Sequence, residues 1–159
     1  MLHKRKGGHT MTTELTPPYL GAKVKMLNTQ FEKKLNQRVA EILPGVTGAQ
    51  VGILQMLFVR PERIFTQKDI EQSFMLSHPT TRGLIKRLIQ IDLITTTPLA
   101  SDQRQVQVML SEKGQQLMAT HITALEQNLQ EVDERATKGL TPQEKQQLMQ
   151  LMDRMIENL

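Results

Sequence analysis

Apolar residues recur at three- and four-residue steps through most of this chain, and give way to a strand-like pattern in one stretch. From Pro18 to about Leu43, the residues Leu20, Val24, Leu27, Phe31, Leu35 and Ile42 alternate with Lys and Glu, which predicts a long amphipathic helix broken by Pro44-Gly45. Thr47 and Gln50 have capping-box spacing and open a second helix through Val51, Leu54, Leu57 and Phe58, ending near Pro61. Thr66 caps a short helix, TQKDIEQSF, that turns Ile70 and Phe74 inward. Ser77 caps the next one, and Pro79 sits in its first turn, where a missing amide is harmless. Two short helices joined through Met75-Leu76 form a helix-turn-helix.

The strand-like stretch follows. Ile94 to Thr97 is β-branched and bounded by Pro98, and Val106 to Leu110 reads Val, Gln, Val, Met, Leu, so the two predict paired strands with Leu99 to Arg104 at the tip. Ser111 and Glu112 then open a long helix with a near-heptad stripe of Met118, Ile122, Leu125, Leu129, Val132 and Ala136, ended by Gly139. Thr141, Pro142 and Glu144 make another capping box ahead of a last helix that aligns Leu148, Leu151, Met152, Met155, Ile156 and Leu159. The fold class expected is mainly α with a small β-hairpin: a winged helix-turn-helix over residues 46–110, between an N-terminal helix in residues 14–45 and C-terminal helices in 111–159. The outer helices carry more apolar stripe than so small a core can cover. They either pack within the chain or form the interface of a homodimer.

The helix from Ser77 to Asp92 has two unlike faces. Leu84, Ile85, Leu88 and Ile91 share one, while Pro79, Arg82, Gly83, Lys86 and Gln90 share the other. The second face is cationic and slim, which suits the floor of a DNA major groove. Arg pairs bidentately with guanine and Gln with adenine, so Arg82, Lys86 and Gln90 are the candidates for base contact, with Ser77, Pro79, Thr80 and Thr81 at the leading end. Gly83 costs about 1 kcal/mol against Ala inside a helix, a sign that something approaches closely there. Arg87 lies at the boundary with the core side and fits phosphate contact or a salt bridge equally well. At the hairpin tip, the Arg104 guanidinium can enter a narrow minor groove, with Asp102 orienting it through a bidentate pair. The bland alternative for each of these residues is ordinary solvated polarity.

The run LSHPTTRGLIKRLIQIDLI, the Asp-x-Arg turn and VQVMLSEKG together resemble the MarR family of bacterial transcription regulators, repressors of the winged helix-turn-helix class. The resemblance extends over nearly the whole chain and implies a homodimer that reads a pseudo-palindromic operator. It also implies a small effector, often aromatic and anionic, bound between the dimerisation helices and the winged helix. Two positions depart from the family pattern. Asp92 stands where the recognition helix usually ends in Gly, and Asp tolerates a left-handed backbone. Gln103-Arg104 stands where two consecutive Arg are common, which rests the wing contact on Arg104.

Charge changes the picture modestly. The chain of 159 residues carries a formal charge of +4, with 14 Lys and Arg against 7 Asp and Glu in residues 1–100, and 6 against 9 beyond. A basic front half favours a polyanionic partner such as double-stranded DNA. Cysteine is absent, which excludes disulfides, thiolate metal sites and oxidant sensing through a thiol. The histidines His3, His9, His78 and His121 lie far apart without metal-ligand spacing, and His78 reads as a helix-start or phosphate-contact group. No nucleophile motif, phosphate-cradling glycine loop or carboxylate pair is present, so neither an enzyme nor a cofactor is expected. No apolar run approaches the roughly 20 residues that span a bilayer, and the polar start is unlike a signal peptide, so a cytoplasmic location without membrane contact is expected. Residues 1–13, with their Lys4-Arg5-Lys6 run, read as a disordered leader or non-native residues rather than a DNA-contacting arm.

For the effector, Tyr19, Phe31, Met56 and Phe58 are the candidate pocket lining, against the alternative that they are core residues at helical spacing. Two other functions remain open at this point. One is a protein-interaction module using the winged helix; the other is a constitutive DNA binder without effector.

Overall fold

The computed structural model describes residues 19–159, so the leader, Lys4-Arg5-Lys6 and Pro18 lie outside the described residues. Helices α1 (Leu20–Ile42) and α2 (Gly48–Phe58) are followed by strand β1 (Phe65–Thr66) and helices α3 (Gln67–Ser73) and α4 (His78–Gln90). Strands β2 (Ile94–Pro98) and β3 (Val106–Leu110) come next, then α5 (Glu112–Ala136) and α6 (Pro142–Glu157).

Local chemistry starts these helices where the sequence indicates. Thr47 accepts the Gln50 amide while Gln50 Oε1 accepts the Thr47 amide at 2.9 Å. Thr141 and Glu144 make the same reciprocal pair, with the Thr141 amide donating at 2.7 Å. Thr66 does more than the single cap expected of it, because Asp69 completes a third box by accepting the Thr66 amide at 2.8 Å. Each box satisfies two amides that helix geometry leaves without a partner.

The sheet has one strand more than the expected hairpin. Its order is β1-β3-β2, all antiparallel, with Phe65 opposite Val108, Ile94 opposite Leu110 and Pro98 opposite Val106. Two residues are too few for an alternation to register, so Phe65–Thr66 reads in sequence only as the approach to a cap. Pro98 is tolerated because it ends an edge strand.

The core lies where α2, α3, α4 and α5 meet the sheet: Ile53, Leu54, Ile70, Leu88, Ile94 and Met118 are essentially inaccessible. Two residues expected inside are not. Ile91 is exposed, because Asp92 takes φ +59° and turns the chain so that Leu93 is buried instead. Phe74 lies over Gly52, where a Cβ would stand 3.0 Å from the ring, yet its other side is open.

α5 packs along α1 and α2, and at the α1 crossing the buried Asn128 Nδ2 donates to the Leu35 carbonyl at 3.3 Å. The far half of α1 and all of α6 are different. Leu20, Val24 and Leu27 are exposed, no residue of α6 is buried, and Leu148, Leu151 and Met152 are open, with Ile156 at 67 % exposure. The last apolar positions of the α5 stripe, Leu129 and Ala136, are exposed too. Apolar faces of this length on a single chain are unusual and mark contact surfaces.

Candidate nucleic-acid interface

Helix α4 is anchored by one face and open on the other. Ser77 Oγ accepts the Thr80 amide at 3.4 Å and bonds the Thr80 hydroxyl at 2.8 Å, which fixes the first turn. Ile85 and Leu88 are buried beneath it. On the open side, Arg82, Lys86 and Gln90 follow one another at four-residue steps and are all exposed, as are Ser77, Pro79 and Thr80. Thr81 must be taken off this face. It is wholly buried, and its hydroxyl donates to the Ser77 carbonyl at 3.2 Å, because position 81 lies one turn before Ile85 on the packed side.

Electrostatics favour the open face. Among the described residues, the ion pairs are Arg38 with Glu41, Arg63 with Asp69 and His78 with Glu71, so none engages Arg82, Lys86, Arg87 or Arg104. Arg87 is exposed near the end of α4. Gly83 has no heavy atom within 4 Å of the Cβ it lacks, so nothing inside the chain accounts for a glycine there.

The wing tip is closed by the Leu99 amide donating to the Gln105 carbonyl at 2.9 Å and the Gln105 amide to the Asp102 carbonyl at 3.0 Å. Arg104 is exposed beside it. Asp102 does not pair with the Arg104 guanidinium as expected. Its carboxylate accepts the Arg104 backbone amide at 3.0 Å and Gln105 Nε2 at 3.1 Å, so it shapes the turn and leaves the guanidinium unpaired. A short Asp two residues before a turn amide makes this local bond more readily than it reaches a long side chain.

A further group sits between α4 and the wing. Glu71 on α3 takes His78 Nδ1 at 2.8 Å and Gln67 Nε2 at 2.8 Å on one oxygen, and the three border a cleft of about 340 Å³ that Lys68 and Arg104 also line. Sequence reading singled out His78 but missed Gln67, Lys68 and Glu71. The available signal was the four-residue step from Gln67 to Glu71, which puts both on one side of α3. In the first turn of the same helix, the Asp69 carboxyl is held below the usual carboxylate range, first by the Thr66 hydroxyl, then by the Thr66 amide and Arg63.

The expected pocket lining is not brought together. Tyr19 is 75 % exposed just before α1, and Phe31 and Met56 are half-buried on separate helices, Met56 against the core. Of the four, Phe58 borders a cavity of about 610 Å³ that Pro61, Arg63, Phe65, Met109 and Ala119 also line. Arg63 stands 4.9 Å above the Phe65 ring there. The reason is geometric: the start of α1 runs clear of the winged helix, whereas Phe58 ends the helix that faces β3. A second cavity of about 740 Å³ lies between α1, α2 and α5, with Leu35, Val39, Phe74 and Leu125 on its walls.

Among the described residues, no group of three or more His, Asp and Glu could hold a metal ion, and no helix is long and apolar enough to cross a membrane.

Comparison with known proteins agrees with this layout. Residues 45–105 match the MarR family. In structure the chain is similar to S. aureus MepR in its DNA complex, at 20% identity and a TM-score of 0.76 over 90% of this chain and 100% of that one. It is similar to a point mutant of E. coli MarR complexed with operator DNA, at 22% identity and 0.72 over 92% and 99%. A third likeness is to Bordetella bronchiseptica BpsR, whose DNA binding is regulated by 6-hydroxynicotinic acid, at 21% identity and 0.71 over 94% and 97%. At these identities the likeness shows the fold. No curated protein matches the chain in sequence.

Proposed function

We propose that this chain, a winged-helix transcription regulator of the MarR family, binds a pseudo-palindromic operator in duplex DNA as a homodimer and represses until a small ligand releases it. Regulators of this family are not enzymes. The observation that carries the reading is the line of Arg82, Lys86 and Gln90 along the open side of α4, exposed and, among the described residues, without an ion pair. Its chemistry is that of base-edge recognition: guanidinium to guanine, carboxamide to adenine. Ser77, Pro79 and Thr80 lead that helix toward the groove, and Arg104, at a tip whose backbone Asp102 shapes, reaches the neighbouring minor groove.

The open apolar faces of α1 and α6 support the dimer. Pairing residues 14–45 and 111–159 of two copies covers Leu20, Val24, Leu27, Leu151 and Ile156, which a single chain leaves in water. Two-fold symmetry then presents two α4 helices about one helical turn of DNA apart. For the ligand, the cavity beside Phe58 offers an apolar wall with the Arg63 cation at its edge, a combination suited to a small anionic or aromatic compound. Such a ligand acts only if it prefers one spacing of the two reading heads over the other. The setting is cytoplasmic.

Selection of genomic DNA fragments by the purified protein tests this directly. A recurring inverted-repeat motif is expected, and recovery of no fragment above background would overturn the reading.

A further inference from the structure

Helices α3 and α4 are joined by a short turn through Met75, which takes φ +51°, and this turn folds His78 back beside Glu71. Gln67 lies one helical turn before Glu71 on α3 and reaches the same carboxylate oxygen. The Glu71 side chain is 21% exposed and that of His78 69%, so the carboxylate is the inner partner and the ring the outer one. His78 Nδ1 lies 2.8 Å from Glu71 Oε1 and 3.0 Å from Gln67 Nε2, and in the contact with the carboxylate, which can only accept, Nδ1 is the donor. The opposite edge of the ring, with Nε2, is turned away from Glu71.

The cleft next to this ring has three walls: α3 with Lys68, the start of α4 with His78, and the wing with Arg104 at its tip and Val106 at the start of β3. Lys68 and Arg104 belong to none of the ion pairs among the described residues. The one acidic group facing the cleft is Glu71, whose charge is already met by two donors. When α4 lies in a major groove and the wing in the adjacent minor groove, the sugar-phosphate strand that separates the two grooves must pass over this gap.

We infer that this cleft seats a backbone phosphate of the bound duplex, contacted by His78 Nε2 between Lys68 and Arg104, with Glu71 as the positioning residue that holds the ring. The inference rests on the DNA-binding reading above. With a phosphate oxygen at Nε2 and Glu71 at Nδ1, acceptors stand on both sides of the ring, so both nitrogens carry protons in the complex. The groups that face His78 are Glu71 and Gln67 from α3, Lys68 from the same helix and Arg104 from the wing; Glu71 is the only carboxylate among them.

The decisive feature of the test is a sign. Removing a negative charge from a DNA-facing surface ordinarily tightens binding. Here Glu71→Gln in the full chain is expected to weaken binding to the selected operator duplex by about fivefold, because the ring is released. His78→Gln weakens it by a similar factor, and the double variant is no weaker than either single one. Tighter or unchanged binding by Glu71→Gln, or independent multiplying effects, overturns the inference. If Glu71→Gln fails to fold, His78→Gln decides alone: binding as tight as that of the wild type overturns it. Arg82→Ala in the same titration separates the two levels. Loss of base preference in Arg82→Ala alongside tighter binding by Glu71→Gln removes only the phosphate seat, whereas no duplex binding by the wild type removes both readings.

Discussion

Ser111 Oγ donates to the carbonyl of Asp92 at 2.7 Å while accepting the Gly114 amide at 2.9 Å. One hydroxyl thus caps α5 and fastens it to the segment that ends α4. Lys113 Nζ adds a bond to the Ile91 carbonyl at 2.9 Å, and the Ser111 amide donates to the Leu93 carbonyl at 3.1 Å. Three hydrogen bonds therefore tie the start of α5 to the end of α4.

Two substitutions probe this joint. Ser111→Ala is expected to cost about 1–2 kcal/mol, the loss of a cap together with an unpaired carbonyl. Gly114→Ala is expected to cost more, about 3 kcal/mol, because a Cβ there collides with the Leu93 carbonyl, which is backbone and cannot swing aside. Urea unfolding of both variants against the wild type measures the order.

Gly83→Ala should separate folding from binding. The added methyl meets nothing inside the chain and improves helix propensity, so the unfolding free energy rises by about 0.5–1 kcal/mol. Operator affinity falls, because the methyl intrudes on the face that meets DNA. A thermal scan and a binding isotherm on one preparation give both values.

The acid limb of stability has a named contributor. Asp69 has a carboxyl pKa lowered in the folded state by Thr66, so its contribution is fully present above the unfolded carboxyl value of about 3.9 and fades as pH falls through the lower folded value. In Asp69→Asn the fall in unfolding free energy across that acid window is shallower than in the wild type. Glu144, lowered by the Thr141 amide and hydroxyl, adds a change in the same direction. Unfolding midpoints taken at intervals from neutral pH into the acid range check the slope.

Leu151→Glu on α6 and Leu27→Glu on α1 change side chains that a single chain leaves exposed. Each is expected to convert the dimer to a monomer in light scattering while leaving the helical content of the chain in place. Variants that remain dimeric place the interface elsewhere.

Much of this architecture is legible before folding because it is written locally. Caps at Thr47, Ser77 and Thr141 and the run of Arg82, Lys86 and Gln90 need only neighbours a few residues away. What escapes is what depends on distant partners. β1 exists because Val108 lies opposite Phe65, and the Glu71–His78 pair exists because a turn at Met75 closes it. Thr81 is a different case, because its place one turn before Ile85 already puts it on the packed side of α4. Which of Tyr19, Phe31, Met56 and Phe58 border one space is equally hidden, because their spacing gives no indication of how α1 and α2 diverge.

The central claim, base-specific recognition by the open face of α4, is tested most directly by equilibrium titration of the full chain with its selected operator duplex and a scrambled duplex at several salt concentrations, for the wild type and Arg82→Ala. The wild type is expected to prefer the operator by at least about a thousandfold, and Arg82→Ala to lose about ten- to a hundredfold of that preference at one base position. Equal affinity for the two duplexes, or an undiminished preference in Arg82→Ala, would contradict the account.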